Sequence, residues 1–268
     1  MKTLTLIATG SLLALGASAN AAIILTTVGG TISESFDGMG TTTVANQFSA
    51  TIGAQSVATG STFDGTKIAG TGTTATGLVA NDGTGNSGGV YNYGNATGPV
   101  SDRALGAVAS GSNTMAFGVV ITNNTGAALD SITIDFTQEN WRSSTSTNNV
   151  FNFEYSTAST AATYLTDTGF TSLASLNLVG PAFVTTNGAL DGNLATNQAA
   201  RSGVINFLTA PLANGQSVYL RWSDFNDVGN DAGLAIDNFN VTGQAVPEPA
   251  TMAVLGLIAA AAARRKRK

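Results

Sequence analysis

The sequence predicts an all-β protein whose body is an antiparallel β-sandwich of the jelly-roll type. Apolar and polar residues alternate in several segments after residue 114, and no segment of the body repeats its apolar residues at helical spacing over an ordinary helix length. Gly, Thr, Ser and Asn are abundant, as expected for short strands joined by many turns. The body, residues 22–245, has a suitable length for a single sandwich.

The alternation places the strands in order along the chain. Predicted strands cover residues 31–36, 115–121, 132–136, 151–155, 173–179, 204–208, 218–222 and 234–241. The turn sequence Asn123-Asn124-Thr125-Gly126 separates the second and third of these, so we expect a hairpin there. Residues 38–112 are predicted to form long loops with a few short strands, because glycine-rich stretches such as 81–89 dominate them.

Residues 1–21 have the three parts of a secretory signal peptide. Met1-Lys2 gives the positive start, an apolar stretch runs from Leu4 to Leu15, and small residues follow it. Cleavage is expected after Ala19 or Ala21. The chain is therefore predicted to use the secretion machinery.

Residues 246–268 form a second targeting signal at the other end of the chain. Pro247-Glu248-Pro249 keeps the backbone extended before an uncharged stretch of residues 250–263. As a helix this stretch spans about 21 Å, which is short against a hydrocarbon core of about 30 Å. The basic residues Arg264, Arg265, Lys266, Arg267 and Lys268 then fix the inner side of a short transmembrane helix.

This order of turn, apolar stretch and basic end resembles the PEP-CTERM sorting signal of exosortase substrates. The resemblance implies a transient inner-membrane anchor, processing by an exosortase, and a final place at the cell surface or in the extracellular matrix of a bacterium with an outer membrane. An ordinary tail anchor without processing is the alternative.

The composition excludes several classes of function. The body has five basic and fifteen acidic residues, so its net charge is −10 and it is expected to repel nucleic acid and anionic lipid. The chain has no cysteine and no histidine. It therefore lacks disulfides, the usual base of serine and cysteine hydrolases, and the commonest metal ligand.

The acidic residues suggest structural calcium. Asp224, Asp227 and Asp231 offer several oxygens within one short loop, and calcium requires six to eight of them. Most of residues 31–242 within the body also resembles a recurring ectodomain of PEP-CTERM proteins that is similar to carbohydrate-binding jelly rolls. That resemblance implies that Glu34 or Asp37 meets Asp237 around an ion. A polar turn without metal is the alternative.

The aromatic and arginine residues suggest a glycan surface. Trp141, Arg142 and Trp222 are candidates for it, with Tyr91 or Tyr93, because aromatic rings stack on sugars and arginine binds hydroxyl groups. The alternative is structural: Arg103, Arg142 and Arg221 tie the sandwich together through ion pairs and cation-π contacts, with Glu139 as a plausible partner for one of them.

The sequence favours an exported, structural or adhesive protein of an exopolysaccharide matrix or biofilm. A carbohydrate-binding module is the alternative. A third hypothesis is a glycoside hydrolase in which Glu139 and either Asp224 or Asp227 form the carboxylate pair. Nothing in their spacing requires this pairing, so the expectation is that the protein is not an enzyme.

Overall fold

The computed structural model describes residues 22–39, 55–56, 63–69, 78–95, 102–111, 113–146, 149–160, 163–181 and 184–245. The predicted signal peptide, residues 1–21, and the predicted sorting tail, residues 246–268, lie outside these residues. Within them, no helix is long and apolar enough to cross a membrane.

The described residues form a sandwich of two β-sheets, as the alternation predicts. The strands are β1 (Ala22–Leu25), β2 (Thr31–Glu34), β3 (Gln55–Ser56), β4 (Phe63–Ala69), β5 (Val79–Asn81), β6 (Gly89–Tyr93), β7 (Ala104–Val108), β8 (Thr114–Asn123), β9 (Leu129–Arg142), β10 (Val150–Ser156), β11 (Thr171–Ser172), β12 (Leu178–Val179), β13 (Gln198–Asn206), β14 (Ser217–Asp224) and β15 (Gly233–Ala245). Single turns of 3-10 helix occur at Asp37–Met39, Ala174–Leu176 and Ala195–Asn197.

The strands divide between the two sheets in an order that differs from their order in the chain. Sheet A runs β11-β10-β14-β8-β4-β3, with β1 added to β8 and β12 added to β10. Sheet B runs β13-β9-β15-β7-β6-β5, with β2 added to β15. Among the described strands the pairing is antiparallel except for β1 with β8 and β5 with β6, which are parallel.

The core lies between the sheets and centres on Trp222 of β14. Its ring stacks on Phe117 from the same sheet at 5.6 Å and meets Phe136 and Phe239 of sheet B edge-on at 5.5 and 6.3 Å. Aromatic pairs of this kind add stability beyond the area that they bury. The alternating residues of β8, β9, β14 and β15 therefore face one another across the sandwich, which confirms the predicted periodicity.

The predicted hairpin after residue 121 is wrong. β8 and β9 do not pair with each other: β8 pairs with β14, β4 and β1, whereas β9 pairs with β13 and β15. The turn at residues 124–128 therefore carries the chain from sheet A to sheet B. Both strands turn an apolar face to the same core, and a period of two describes this arrangement as well as it describes a hairpin.

Two other strand predictions need correction, whereas the short strands expected within residues 38–112 are confirmed as β3 to β7. The residues of β6 and β7 are all buried in sheet B. Residues 173–179 form a 3-10 turn and the two-residue strand β12 rather than one strand. β13 begins at Gln198 and ends at Asn206, ahead of the predicted 204–208. Its less exposed positions include Arg201 and Gly203, while the apolar Val204 is exposed, so the alternation there is weak.

The sandwich has two chemically different ends. β15 begins at one end and finishes at the other, about 40 Å away for a strand of its length. We call the first end the loop pole, which comprises residues 82–88, 109–111, 143–146 and 225–232. The second end is the tail pole, which comprises residues 26–30, 124–128 and 207–216, where the body leads into the sorting tail.

Candidate polysaccharide site

A small polar cavity of about 40 Å³ lies at the loop pole. Three loops and the ends of β7 and β9 contribute to it, and its polar side chains are Asn86, Ser110, Arg142, Asn226, Asn230 and Asp231. Its volume exceeds the roughly 10–15 Å³ that one water molecule requires, so it can take a few waters or one polar end group of a ligand.

Arg142 is the cation of the cavity and is held by backbone carbonyls. It is the last residue of β9, and its Nη1 donates to the carbonyl oxygens of Gly83 at 3.0 Å and Thr84 at 3.2 Å. The residue is only 7% exposed, and its Nε is buried without a hydrogen-bond partner. An unsatisfied buried donor costs about 1–3 kcal/mol.

The acidic side of the cavity comes from the loop between β14 and β15. Oδ1 of Asp231 accepts the backbone N–H of Asp227 at 2.8 Å, and Oδ2 of Asp224 accepts that of Ala109. Burial raises the pKa of Asp231 to about 6. Burial, and then the charge of Asp231, raise the pKa of Asp224 well above its ordinary value. These carboxyl groups take up protons more readily than ordinary aspartates do.

The same loop carries two exposed apolar side chains. Phe225 is 52% exposed and Val228 is 96% exposed, and both are next in sequence to residues that line the cavity, Asn226 and Gly229. The loop therefore offers both kinds of contact that a sugar uses: hydrogen bonds to hydroxyl groups and stacking on its apolar face.

A second group of acids lies on the outer face of sheet B. Glu139 is buried, with its Oε2 accepting Trp141 Nε1 at 2.9 Å and its Oε1 accepting Gln198 Nε2 at 3.0 Å. Burial and the charge of Asp237 raise its pKa to about 8. Burial, and then the charges of Asp102 and Asp37, raise the pKa of Asp237 to about 7.

The predicted calcium ligands therefore separate into two groups. Asp224, Asp227 and Asp231 belong to the loop pole, whereas Asp37 and Asp237 interact on sheet B. The Oε1 of Glu34 contacts neither group and instead accepts the backbone N–H of Phe36 at 2.9 Å. Asp37 lies near enough to Asp237 to influence its charge, and an ion between them stays a prediction.

Neither group fits calcium in the described structure. Both oxygens of Asp237 accept hydrogen bonds from Asn238 at 2.6 Å, and Asp37 accepts the backbone N–H of Arg103 at 3.1 Å. Across the residues that the structure describes, no three acidic side chains surround a common point in the manner of a metal site. The calcium prediction therefore gains no support from this geometry.

The predicted glycan-stacking role of Trp141 and Trp222 is wrong, because both side chains are buried. Trp222 and Trp141 are each 0% exposed, so neither indole offers a face to a ligand. Trp222 fills the main core, while Trp141 stacks on Tyr93 at 5.6 Å on the outer face of sheet B. Gly192 covers Trp141 so closely that an added Cβ would lie 2.3 Å from the indole. Of the three predicted residues, only Arg142 reaches the candidate site.

The carboxylate pair of the hydrolase hypothesis is not assembled. The neighbouring charges that raise the pKa of Glu139 belong to Asp237 and Asp102, whereas those that raise the pKa of Asp224 belong to Asp231 and Asp227. Glu139 and Asp224 therefore lie in separate electrostatic groups.

Arg221 has the structural role that the sequence allowed. It pairs with Glu154 at 2.8 Å, donates to the carbonyls of Tyr164 and Asp167, and lies 4.0 Å above the ring of Phe170. Arg103 is buried, with Nε and Nη2 donating to Asn92 at 2.7 and 2.8 Å. The predicted ion pair between an arginine and Glu139 is wrong, because Glu139 accepts hydrogen bonds from Trp141 and Gln198 instead.

The sequence did not single out Asn86, Ser110 or Asn226 as site residues. Asn86 lies in the glycine-rich stretch that predicts turns, and Ser110 lies in the short β7–β8 turn. Asn and Ser are ordinary turn residues. Only the placement of these loops at one pole distinguishes them.

Comparison with known proteins identifies the tail. Residues 245–268 match the model of the PEP-CTERM protein-sorting motif. The chain is therefore an exported β-sandwich protein with an exosortase sorting signal, which marks it for membrane anchoring followed by cleavage. No curated protein matches the sequence significantly.

Solved structures with a similar sandwich differ widely in sequence. They include the K2 cleaved adhesin domain of Lys-gingipain, at 11% identity, 79% coverage of this chain, 97% of that chain and a TM-score of 0.37. The CBM22-1 xylan-binding domain from Paenibacillus barcinonensis Xyn10C is 10% identical, with 83% of this chain and 99% of that chain covered and a TM-score of 0.31. TmCBM61 in complex with β-1,4-galactotriose is 8% identical, with 53% of this chain and 72% of that chain covered and a TM-score of 0.29. Scores of this size transfer no ligand to the present protein.

Proposed function

We propose that this exported sandwich binds a polysaccharide at the loop pole and acts as an adhesive or structural component of an exopolysaccharide matrix. The cavity around Arg142 and Asp231 carries the proposal. Arg142 and the buried Asp231 line the same small space. There a vicinal pair of sugar hydroxyls can accept from the guanidinium and donate to the carboxyl group.

The charge of the cavity favours an uncharged sugar. Asp231 lines the cavity with Arg142, while Asp224 and Asp227 interact electrostatically near it, and the body as a whole carries −10. An anionic polymer would be repelled over most of this surface. Neutral hydroxyl groups satisfy both the arginine and the carboxyl groups without that cost.

The cavity volume and the apolar side chains beside it define how a chain would bind. A space of about 40 Å³ takes a hydroxymethyl group or a pair of hydroxyls rather than a whole ring. The rest of the sugar would lie over Phe225 and Val228, which are exposed and belong to the loop that supplies Asn226, Asn230 and Asp231. This mode requires no catalytic pair, which agrees with a binding role.

The location of the site suits an anchored protein. The cavity lies at the beginning of β15, and the sorting motif follows its end about 40 Å away. Before processing the site would point away from the inner membrane. After processing it would serve the released protein at the cell surface or in the matrix of a bacterium with an outer membrane.

A glycan array probed with the purified body, residues 22–245, tests the proposal. We expect retention by neutral polysaccharides and a loss of about tenfold or more in affinity for Asp231→Asn and for Phe225→Ser. The control variant Leu208→Ser, which replaces an exposed apolar side chain at the tail pole, should bind normally. Binding to no glycan, or equal binding by all three variants, would refute the function.

A further inference from the structure

The tail pole contains no charged residue in any of its three turns. Their sequences are TTVGG at 26–30, NTGAA at 124–128 and FLTAPLANGQ at 207–216. The loop pole differs, because Asp82, Asp227 and Asp231 all lie within its segments. An uncharged end is unusual on a body with a net charge of −10, which repels anionic lipid elsewhere on its surface.

The tail pole also exposes aliphatic side chains. Leu208 is 74% exposed in the turn after β13, and Val28 is 40% exposed in the turn between β1 and β2. Backbone contacts hold these turns to the end of the sandwich: the N–H of Gly29 donates to the carbonyl of Gly243, and the N–H of Phe207 donates to that of Asp130. Asp130 itself is only partly exposed and hydrogen-bonds with Ser131.

The chain leaves the body at this pole. Ala245, the last residue of β15, pairs with Leu129, and only residues 246–249 separate it from the apolar stretch that begins at residue 250. Four extended residues span at most roughly 14 Å. The headgroup layer occupies about 6 Å of that distance, so the anchored body is held close to the lipid surface.

From these three observations we infer that the tail pole lies against the lipid headgroups while the chain is anchored, with Leu208 and Val28 in contact with the bilayer surface. The short link brings the pole to the membrane, and the absence of acid there avoids repulsion from anionic lipid. Apolar side chains at the headgroup boundary gain from partial burial. The inference rests on the sorting motif and is independent of the polysaccharide site.

Cysteine labelling of the full chain in vesicles tests this contact, because the native chain has no cysteine. Leu208→Cys carries a fluorophore at the tail pole, and Val228→Cys carries the same fluorophore on an exposed side chain at the loop pole. Vesicles of phosphatidylethanolamine and phosphatidylglycerol contain a lipid with a nitroxide on its headgroup, and only protein that floats with them is measured. We expect lipid quenching at least about threefold stronger at position 208 than at position 228, and weaker quenching by iodide at 208.

Three outcomes would overturn the inference. Equal lipid quenching at the two positions would show that the pole does not face the bilayer. Protection of position 208 from iodide without lipid quenching would assign the pole to a second copy of the chain or another protein. A Leu208→Cys, Val28→Asp variant whose lipid quenching matches that of Leu208→Cys alone would show that the uncharged surface has no part in the contact.

Discussion

The two poles of the sandwich are built on the ends of the same strands, yet their chemistry differs. At the loop pole, three loops and the end of β9 bring Arg142 and Asp231 together around a polar cavity. At the tail pole, the turns contain no charge. The strands between them supply a common apolar core. The contrast places the capacity to recognise a ligand in the loops of one end, while the core only holds them in position.

Two glycines with similar backbone angles give the largest expected difference between the poles. Gly83 at the loop pole has φ +87°, and an added Cβ would lie 1.9 Å from the carbonyl oxygen of Trp141. Gly126 at the tail pole has φ +82°, with no atom within 4 Å of an added Cβ. We expect Gly83→Ala to lower the free energy of unfolding by about 4 kcal/mol and Gly126→Ala by about 1 kcal/mol. Urea unfolding followed by tryptophan fluorescence measures both, and equal losses would contradict the close packing of the 82–88 loop.

Glu139 gives the next largest effect, because it is a buried acid on the part of β9 that approaches the loop pole. Its pKa is about 8 in the fold, against an ordinary value of 4.5. Between these values the unfolded chain has released a proton that the folded chain retains. Stability from this group is therefore complete below about pH 4.5 and is lost as the pH rises through 8.

The Glu139→Gln variant removes this titration. An amide at position 139 can still accept from Trp141 Nε1, while Gln198 rotates to present its oxygen. We expect the variant to be more stable than the native protein by about 2–3 kcal/mol at pH 8 and nearly equal to it at pH 5. Thermal melts at the two pH values provide the measurement. A native protein that is more stable at pH 8 than at pH 5 would sink this interpretation.

The smallest effect is expected on sheet A, where an acid has a cationic partner. Glu154 pairs with Arg221 at 2.8 Å near the surface, and Arg221 keeps its contacts with two backbone carbonyls when that pair is lost. Glu154→Gln should cost only about 0.5 kcal/mol at pH 7, and the cost should shrink further in high salt. A loss comparable to that of Gly83→Ala would mean that the pair stabilises the sandwich far more than a partly exposed ion pair does.

The sequence predicted the sandwich because its core strands alternate with a period of two. Phe117, Phe136 and Trp222 all occupy inward positions that the alternation indicates. The alternation could not locate β6 and β7, because a strand such as Ala104–Val108 is buried on both faces and has no polar alternation. It also assigned β8 and β9 to one sheet, since strands that face each other and strands that pair have the same pattern.

The site was less accessible to prediction than the fold. Asp224, Asp227 and Asp231 stand out as a cluster in the sequence, and the structure places all three at the loop pole. Trp141 and Trp222 were candidates because indole rings stack on sugars and each adjoins an arginine in the sequence, and both prove to be buried. Phe225, which is exposed, looks no different in the sequence from the core phenylalanines. Exposure depends on the tertiary fold, so residue type alone cannot supply it.

Mapping a bound glycan by nuclear magnetic resonance tests the central claim most directly. The body, residues 22–245, is labelled with nitrogen-15 and titrated with a neutral oligosaccharide cut from a polysaccharide that the array retains. The account predicts shifts of the backbone amides at residues 109–111, 143–146 and 225–232, together with the Arg142 Nε–H, and unchanged amides at 26–30, 124–128 and 207–216. Shifts concentrated at the tail pole or on a sheet face, with the loop pole unchanged, would contradict it.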